Sequence, residues 1–265
     1  MRPTLSVAMI ARNEEANLPR TLDSVQWVDE VVIVDSGSVD RTPEIAQSYG
    51  AKFSFNRDFR GFAPQKNLAL DRCTSDWILL LDADEVVSTK LAQEIRETLE
   101  RPQYDAYWLS RANLFLGRWI RHGGFYPDRK LRLFKRGTAR VVGAEPHGTP
   151  QYDGPKGTLK NDLQHYAYPT LELYLEHMNR YSSSGAPGLV ERGKTSHSFF
   201  AFVGNIFLNP ITTFIKNYVF RLGFLDGKQG LLLHLNHSVY VHWKYVKAWE
   251  ADRKKDSSLT FDADK

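Results

Sequence analysis

The sequence predicts an α/β fold in which a mainly parallel sheet is flanked by helices and is followed by a helical, aromatic-rich C-terminal region. Three observations predict it. In the first hundred residues, short apolar runs alternate with helical stretches, a pattern typical of a parallel sheet. Two of these runs, at 30–35 and 76–82, end on an aspartate. From residue 196 to 250, aromatic side chains are interleaved with lysine and arginine.

Each element of this region follows from a local pattern. A continuous apolar run is typical of a strand that is covered on both faces, and Pro43 is well placed near a helix start. The clearest helix has Ser88 as its cap and an apolar face that includes Leu91 and Ile95. The predicted strands are residues 5–10, 30–35, 51–55 and 76–82, and the predicted helices are residues 13–24, 42 onward, 64–71 and 88–101.

The pattern changes after residue 104. Short runs at 106–109 and 130–134 are separated by Gly, Pro and Asp clusters, which indicates edge strands joined by long loops. A helix resumes at 170–179.

Composition excludes several classes of protein. The formal net charge of +4, from 35 Lys+Arg and 31 Asp+Glu, is too slight for a chain that coats nucleic acid. A single cysteine, Cys73, excludes an intramolecular disulfide framework and a multi-cysteine zinc site. The N-terminal apolar run ends too early for a secretion signal. Polar residues interrupt the apolar stretch 199–225, so no transmembrane segment is predicted.

Charged side chains follow the strands at the edge where parallel sheets bind ligands. Asp82, Asp84 and Glu85 come directly after a buried strand, and such carboxylates suit a divalent cation, although an acidic helix N-terminus gives the same pattern. Asp35 could accept hydrogen bonds from a sugar hydroxyl or a base imide, or simply cap a turn. Lys66 suits a phosphate, or is solvated.

Three segments in order resemble the pattern of glycosyltransferase family 2, whose nucleotide-diphosphosugar fold is called GT-A. They read SVAMIARNEE at 6–15, VDSGSVDRT at 34–42 and LDADE at 81–85. The resemblance implies a Rossmann-like nucleotide-sugar domain and a divalent metal, Mn²⁺ or Mg²⁺. The residues that it implies for the donor are Ala11 and Glu14 at the nucleobase end, Asp35 on the base or ribose, and Lys66 near the diphosphate. Asp82 and Asp84 are implied as the metal-binding Asp-x-Asp element, with Asp84 favoured over Asp82 as the direct metal ligand.

The second half narrows the resemblance. The segments YPDRKLRLF at 126–134 and YVFRLGFLDGKQG at 218–230, with His147, look like the bacterial lipopolysaccharide core β-glucosyltransferases. That branch usually has Val-His-Glu, whereas this chain reads EPHG at 145–148 and so lacks the expected glutamate. The implied domains are a catalytic domain at 1–169, with a nucleotide-sugar half at 1–103 and an acceptor half at 104–169, and a helical extension at 170–265.

An inverting transfer needs a base that takes the proton of the acceptor hydroxyl. Glu145 and Asp128 are the candidates, and either could instead be a loop carboxylate paired with an arginine. His165 is a candidate metal ligand, since GT-A enzymes often add a late His to the metal shell, and His147 is expected near the acceptor or the diphosphate. A lone histidine is more often structural.

A basic group could hold an anionic acceptor or the diphosphate, or could lie solvated on an edge strand; it consists of Arg129, Arg132, Lys135 and Arg136. In the tail from 199 to 249, basic residues interleaved with aromatics suit a helix in a membrane interface, the alternative being a helical pair that packs on the catalytic domain or forms an oligomer.

The resemblance implies a metal-dependent, inverting transfer of a hexose, glucose in that branch, from a UDP-sugar to a lipopolysaccharide inner-core or other envelope glycolipid. The expected location is peripheral, on the cytoplasmic face of the bacterial inner membrane, and no nucleic acid is expected. Alternatives are a polyprenyl phosphate or protein acceptor, and a non-catalytic nucleotide-sugar-binding scaffold. A nucleotidyltransferase is disfavoured because the loop at 11–15 has no glycine.

Overall fold

The computed structural model describes residues 2–143 and 148–256, so Glu145 and His147 lie outside the described residues. The chain divides into two compact units. One comprises Met1–Leu114 and Tyr126–Ala167, and the other comprises Phe115–Phe125 and Tyr168–Lys265.

The described strands of the chain are β1 (Leu5–Ala11), β2 (Glu30–Asp35), β3 (Lys52–Phe55), β4 (Trp77–Asp82), β5 (Glu85–Val87), β6 (Ala106–Phe115), β7 (Arg118–Ile120), β8 (Asp128–Lys135), β9 (Arg140–Val142), β10 (Thr149–Gln151), β11 (Gly157–Thr158) and β12 (Leu163–Tyr168). A mixed sheet in the order β3-β2-β1-β4-β8-β6-β12-β5 forms the centre of the first unit, and β9 and β10 form a separate two-stranded sheet. The strands β1, β2, β3 and β4 are parallel to one another, and the β4–β8, β6–β8 and β5–β12 pairs are antiparallel.

The register of the parallel strands brings the predicted ligand-binding edge together. Strand β1 is flanked by β2 and β4, with Ala11 opposite Asp35 on one side and Ile10 opposite Asp82 on the other. The carboxyl ends of these three strands therefore meet at one edge, as expected for a parallel sheet.

Helices α1 (Leu18–Asp23), α2 (Thr42–Ser48), α3 (Phe62–Arg72) and α4 (Thr89–Glu100) connect these strands. Helix α4 has the predicted cap, since Ser88 Oγ accepts a hydrogen bond of 3.2 Å from the Leu91 N–H. Its apolar face is buried as predicted.

The helix predicted at 13–24 is too long. Asn13 has a φ of 56°, in the left-handed region. The Asn13 and Glu14 N–H groups donate to Ser38 Oγ at 2.8 Å and Thr42 Oγ1 at 2.7 Å. The main chain after β1 thus binds the segment between β2 and α2 and the first residue of α2, and α1 begins only at Leu18.

The prediction of edge strands at 106–109 and 130–134 is wrong. Strand β8 lies between β4 and β6, and β6 between β8 and β12. Alternating charged and apolar residues suggested a half-solvated strand, but Arg132 is buried together with Leu131 and Leu133. Ion pairs cover this cation, as described below.

The second unit contains α5 (Leu171–Glu191), α6 (Phe199–Phe220), a 3₁₀ turn at Gly223–Asp226, and α7 (Gly227–Asp256). Two stretches of α6, Gly204–Leu208 and Ile215–Phe220, are π-helical. Helices α5 and α7 pack together, with Lys247 Nζ donating to Ser182 Oγ at 2.7 Å.

Length and composition alone would allow α6 to cross a membrane. Its most apolar 18-residue window has a mean hydropathy of 1.3, and 11% of that window is buried. The polar residues that were expected to interrupt this stretch do not end helix α6, since helical structure continues through Asn209 and Pro210.

Candidate active site

Asp82, the last residue of β4, lies between two cations. Its Oδ1 accepts a hydrogen bond from Lys66 Nζ of α3 at 2.6 Å, and its Oδ2 accepts one from Arg132 Nη2 of β8 at 2.5 Å. Burial alone would raise the pKa of Asp82, but Arg132, Lys66 and the nearby Arg111 outweigh it and hold that pKa well below its usual range. The carboxylate is ionised, and both of its oxygens already bind cationic donors.

Glu85 anchors this arrangement from β5, with no exposed side-chain surface. Its Oε1 accepts hydrogen bonds from Arg111 Nη1 at 3.1 Å and Arg132 Nη2 at 2.6 Å. Its Oε2 accepts one from the Asp82 N–H at 3.0 Å. One buried carboxylate thus fixes two arginines and the backbone of the Asp-x-Asp element. The sequence placed Glu85 among the carboxylates that suit a divalent cation, whereas here it binds arginines. Arg111 received no role from the sequence, since pairs so far apart along the chain leave no local signal.

Asp128, a candidate base, is held by Arg111 and Lys130. It accepts bonds from Arg111 Nε at 2.9 Å and Nη2 at 2.6 Å, and Lys130 Nζ lies 3.1 Å from it. Burial would raise the pKa of Asp128, but the two cations outweigh it and lower that pKa. In this arrangement Asp128 is ionised and a weak proton acceptor, and its catalytic role remains a prediction.

Asp84 faces His165, which arrives from a distant part of the chain. The antiparallel β12–β5 pair sets His165 opposite Glu85, and His165 Nε2 lies 3.2 Å from Asp84 Oδ2. Asn113 Oδ1 lies 2.6 Å from His165 Nδ1 and is assigned as the acceptor of a hydrogen bond from the Nδ1–H, which leaves Nε2 directed at Asp84. Burial would raise the pKa of Asp84, but His165 outweighs it and lowers that pKa.

This pair fits the implied divalent ion. A carboxylate oxygen and an imidazole nitrogen that is oriented through its other nitrogen are ordinary ligands for Mn²⁺. Among residues 2–143 and 148–256, no group of three or more His, Cys, Asp or Glu side chains is arranged to hold a metal. An ion at Asp84 and His165 would therefore complete its shell with oxygens from water and substrate, as magnesium-type sites commonly do.

Asp35 is fully buried and organises the loop after β2. Its Oδ1 accepts hydrogen bonds from the Gly37 and Ser38 N–H groups, both at 2.7 Å, and its Oδ2 accepts one from Ser38 Oγ at 2.5 Å. Gly37 has a φ of 96°, a conformation that favours glycine. In these contacts Asp35 caps the turn after β2, which was the structural alternative for this residue. Its binding of a base or ribose remains a prediction.

Glu14 lies near the Asp-x-Asp element and Ala11 at the end of β1. Burial, with smaller contributions from Asp84 and Asp82, raises the pKa of Glu14 to about 7, although Asn17 Nδ2 donates a bond of 3.0 Å that opposes the shift. Ala11 is buried opposite Asp35. The predicted donor residues therefore converge on one edge of the sheet.

A groove of about 490 Å³ lies beside β8 and β10. It combines aromatic and cationic side chains, with Lys156 Nζ 5.4 Å from the centre of the Tyr152 ring. Its lining includes Trp108, Arg129, Lys130, Tyr152 and Lys156. Only Arg129 of the predicted basic group lines this groove, since Arg132 is buried against Asp82 and Glu85, and Arg136 Nε donates to the Ser75 carbonyl at 2.8 Å.

Comparison with known proteins agrees with this geometry. Residues 6–149 match the family model of Glycosyl transferase family 2. The chain is 31% identical over 254 residues to the lipopolysaccharide core biosynthesis glycosyltransferase LpsC of Rhizobium meliloti, covering 93% of this chain and 92% of that protein. It is 30% identical over 245 residues to an uncharacterized glycosyltransferase of Rickettsia felis, covering 86% and 83% respectively.

The crystal structure of S. aureus TarS 1-349 is similar in fold, with a TM-score of 0.50 at 16% identity, over 95% of this chain and 92% of that one. The predicted GT-A type fold, with its C-terminal helical region, is thereby confirmed, as is the predicted family. Because the family model matches residues 6–149 and the relative from R. meliloti aligns with 93% of this chain, the chain belongs to glycosyltransferase family 2.

Proposed function

We propose that this glycosyltransferase moves a hexose, glucose in the first instance, from a UDP-sugar to a glycolipid of the bacterial envelope such as the lipopolysaccharide inner core. The observation that carries the proposal is the meeting of Lys66, Asp82 and Asp84 with His165 at the carboxyl ends of the parallel strands. The name of the R. meliloti relative, which specifies lipopolysaccharide core biosynthesis, supports the choice of acceptor.

In the donor half, Lys66 is the group that would bind the diphosphate. It is oriented by Asp82, which the buried Arg132 and Glu85 hold in place. Charge-assisted bonds from such a pre-oriented cation bind phosphate oxygens strongly. Asp84 and His165 would hold the divalent ion, which when bound acts as a Lewis acid toward the departing diphosphate.

In the acceptor half, we propose that the groove beside β8 binds a sugar that carries negative charge. Trp108 and Tyr152 offer ring faces for stacking on a sugar, and Arg129 and Lys156 offer cations for a phosphate or carboxylate. The acceptor oxygen forms its bond to the anomeric carbon as the bond to the diphosphate breaks, and the hydroxyl proton passes to a base on the opposite face. Glu145 and Asp128 remain the two candidates for that base.

The test is transfer itself. The native chain and Asp84→Ala are incubated with UDP-glucose, Mn²⁺ and a purified core acceptor, and the product is identified by mass spectrometry. We expect a mass gain of one hexose with the native chain and a loss of at least about a hundredfold in Asp84→Ala, in the range seen when a group that stabilises developing charge is removed. Glu97→Ala, an exposed carboxylate on α4, is the matched control and should retain full activity.

The alternatives have distinct outcomes in the same assay. Transfer to polyprenyl phosphate or to a protein, with none to the core acceptor, would replace the glycolipid proposal. No transfer to any acceptor, with retained donor binding, would favour the nucleotide-sugar-binding scaffold.

We further propose that the enzyme works in the cytoplasm, on the inner face of the inner membrane, where a membrane-held acceptor would be within reach.

A further inference from the structure

We propose that the second unit binds the surface of an anionic lipid bilayer, with α6 and the first half of α7 lying in the interface. The proposal deepens the proposed function by naming the surface and the lipid charge that would hold the enzyme near its acceptor, and its biological use rests on that function. The binding itself is a separate property of the second unit.

The first observation is a segment that almost lacks carboxylates. Between Glu191 and Glu250 the sequence has seven lysines and arginines and a single acidic residue, Asp226. Asp226 is 1% exposed and accepts hydrogen bonds from the Arg121 and His122 N–H groups at 3.1 and 2.8 Å. The segment therefore presents cations without exposed side-chain anions, although the whole chain has a net charge of only +4.

The second observation is an exposed apolar face on each helix. On α6, exposed apolar residues recur at every fourth position, which places them on one side of the helix. They are Phe207, Ile211, Ile215 and Val219. On α7 the same spacing gives Leu231, Leu235 and Val239. At the ends of α6, Phe200 and Phe220 are 86% and 77% exposed.

The other side of α6 packs against α7. The Ser238 hydroxyl donates to the Pro210 carbonyl at 2.9 Å, and His242 Nδ1 lies 2.9 Å from the Ile206 carbonyl oxygen. Ile206 and Pro210 are buried accordingly. An amphipathic helix of this kind, apolar on its free side and flanked by lysine and arginine, is typical of proteins that lie in a membrane interface.

Charge favours a bilayer over a second copy of the chain. A twofold contact would bring the same patch against itself, so Lys216, Arg221 and Lys228 would face like charges with no exposed acidic side chain in the segment to offset them. Anionic lipid headgroups supply the missing negative charge. An interfacial position also keeps Lys216 and Asn209 out of the hydrocarbon that a spanning helix would expose them to.

Vesicle co-sedimentation of the full chain tests the proposal. Vesicles of phosphatidylcholine alone are compared with vesicles of equal parts phosphatidylcholine and phosphatidylglycerol, without donor or acceptor. We expect binding to the anionic vesicles and a decrease in affinity of roughly fivefold for each cation lost, so that the double variant Lys216→Glu, Lys228→Glu binds at least about twenty-five-fold more weakly. Phe199→Ser, Phe200→Ser should also weaken binding, because these side chains are exposed at the start of α6.

Matched controls lie in the first unit. Lys90→Glu and Phe55→Ser change an exposed cation and an exposed aromatic there, and both should bind the anionic vesicles as the native chain does. High salt should release the native chain from the vesicles.

Three results would overturn the proposal: equal affinity for both vesicle types, retention on the vesicles in alkaline carbonate, or a stable dimer without lipid that Phe199→Ser, Phe200→Ser dissociates. Donor titration in solution is independent of these outcomes, so failure of vesicle binding and failure of hexose transfer are distinguishable.

Discussion

Removing the charge of Glu85 should strongly destabilise the first unit. Its carboxylate is fully buried, and its partners Arg132 and Arg111 have side chains that are only 5% and 14% exposed. In Glu85→Gln the three cations Lys66, Arg111 and Arg132 lose a buried anion and retain the ion pairs with Asp82 and Asp128. Breaking a buried ion pair by removing one partner costs about 3–5 kcal/mol.

We expect Glu85→Gln to lower the free energy of unfolding by about that amount, measured by urea denaturation and followed by tryptophan fluorescence, with Trp77 as a buried reporter in the first unit. Glu97→Gln, an exposed change on α4, should stay within about 0.5 kcal/mol of the native chain.

A double-mutant cycle assigns the effect to this network. Arg132→Leu alone should be destabilising, and its cost should decrease by at least about 1 kcal/mol in the Glu85→Gln background, because the two residues share a bond of 2.6 Å. A loss below about 1 kcal/mol for Glu85→Gln, or strict additivity with Arg132→Leu, would refute the reasoning.

Three further predictions concern the titrating and close-packed residues. Burial raises the pKa of Glu14 from 4.5 to about 7, so the folded state binds this proton more tightly than the unfolded chain does. The resulting stability is fully present below pH 4.5, and about 3 kcal/mol of it is lost as the pH rises through 7. Urea denaturation at pH 5 and 8 should show this decline in the native chain and a smaller decline in Glu14→Gln. Burial lowers the pKa of His237 from 6.5 to about 4, so the stability that the neutral side chain contributes is present above pH 6.5 and is lost as the pH falls toward 4. In urea denaturation between pH 7 and 4, His237→Gln should lose less stability than the native chain, and an equal loss in both proteins would contradict this prediction. Gly230→Ala would place a methyl carbon 2.2 Å from the Gly223 carbonyl oxygen and should lower the free energy of unfolding by about 2 kcal/mol or more, measured by thermal denaturation. Gly204→Ala, which has open space around the added methyl group, should be neutral or stabilising. Equal melting temperatures for the two variants would contradict this prediction.

The sequence predicted the parallel half of the fold and its ligand-binding edge well. Continuous apolar runs and the aspartates that end them are local signals, and the register then sets Asp35 and Asp82 on either side of β1. The motif at 218–230 also has a structural role that was not predicted from its sequence. Gly223 and Gly230 allow two backbone segments to approach closely.

The parts that the sequence did not predict depend on long-range pairing. Strand β8 was predicted as a solvated edge strand because Arg132 alternates with leucines along it. The burial of Arg132 is explained by its ion pairs with Asp82 and Glu85, which are distant in sequence. His165 was expected as a metal ligand from the family resemblance, but its approach to Asp84 follows from the antiparallel β12–β5 register, which no local pattern specifies. Side-chain hydrogen bonds ended the helix predicted at 13–24, where the local composition favoured it.

Calorimetric titration of UDP, UDP-glucose and GDP into the native chain and Asp84→Ala, each with and without Mn²⁺, tests the central claim most directly. We expect UDP and UDP-glucose binding that requires Mn²⁺ in the native chain and is lost in Asp84→Ala, with GDP binding much more weakly. Binding of equal strength in both proteins, or binding that does not depend on the metal, would contradict a metal-assisted UDP-sugar site at Asp84 and His165.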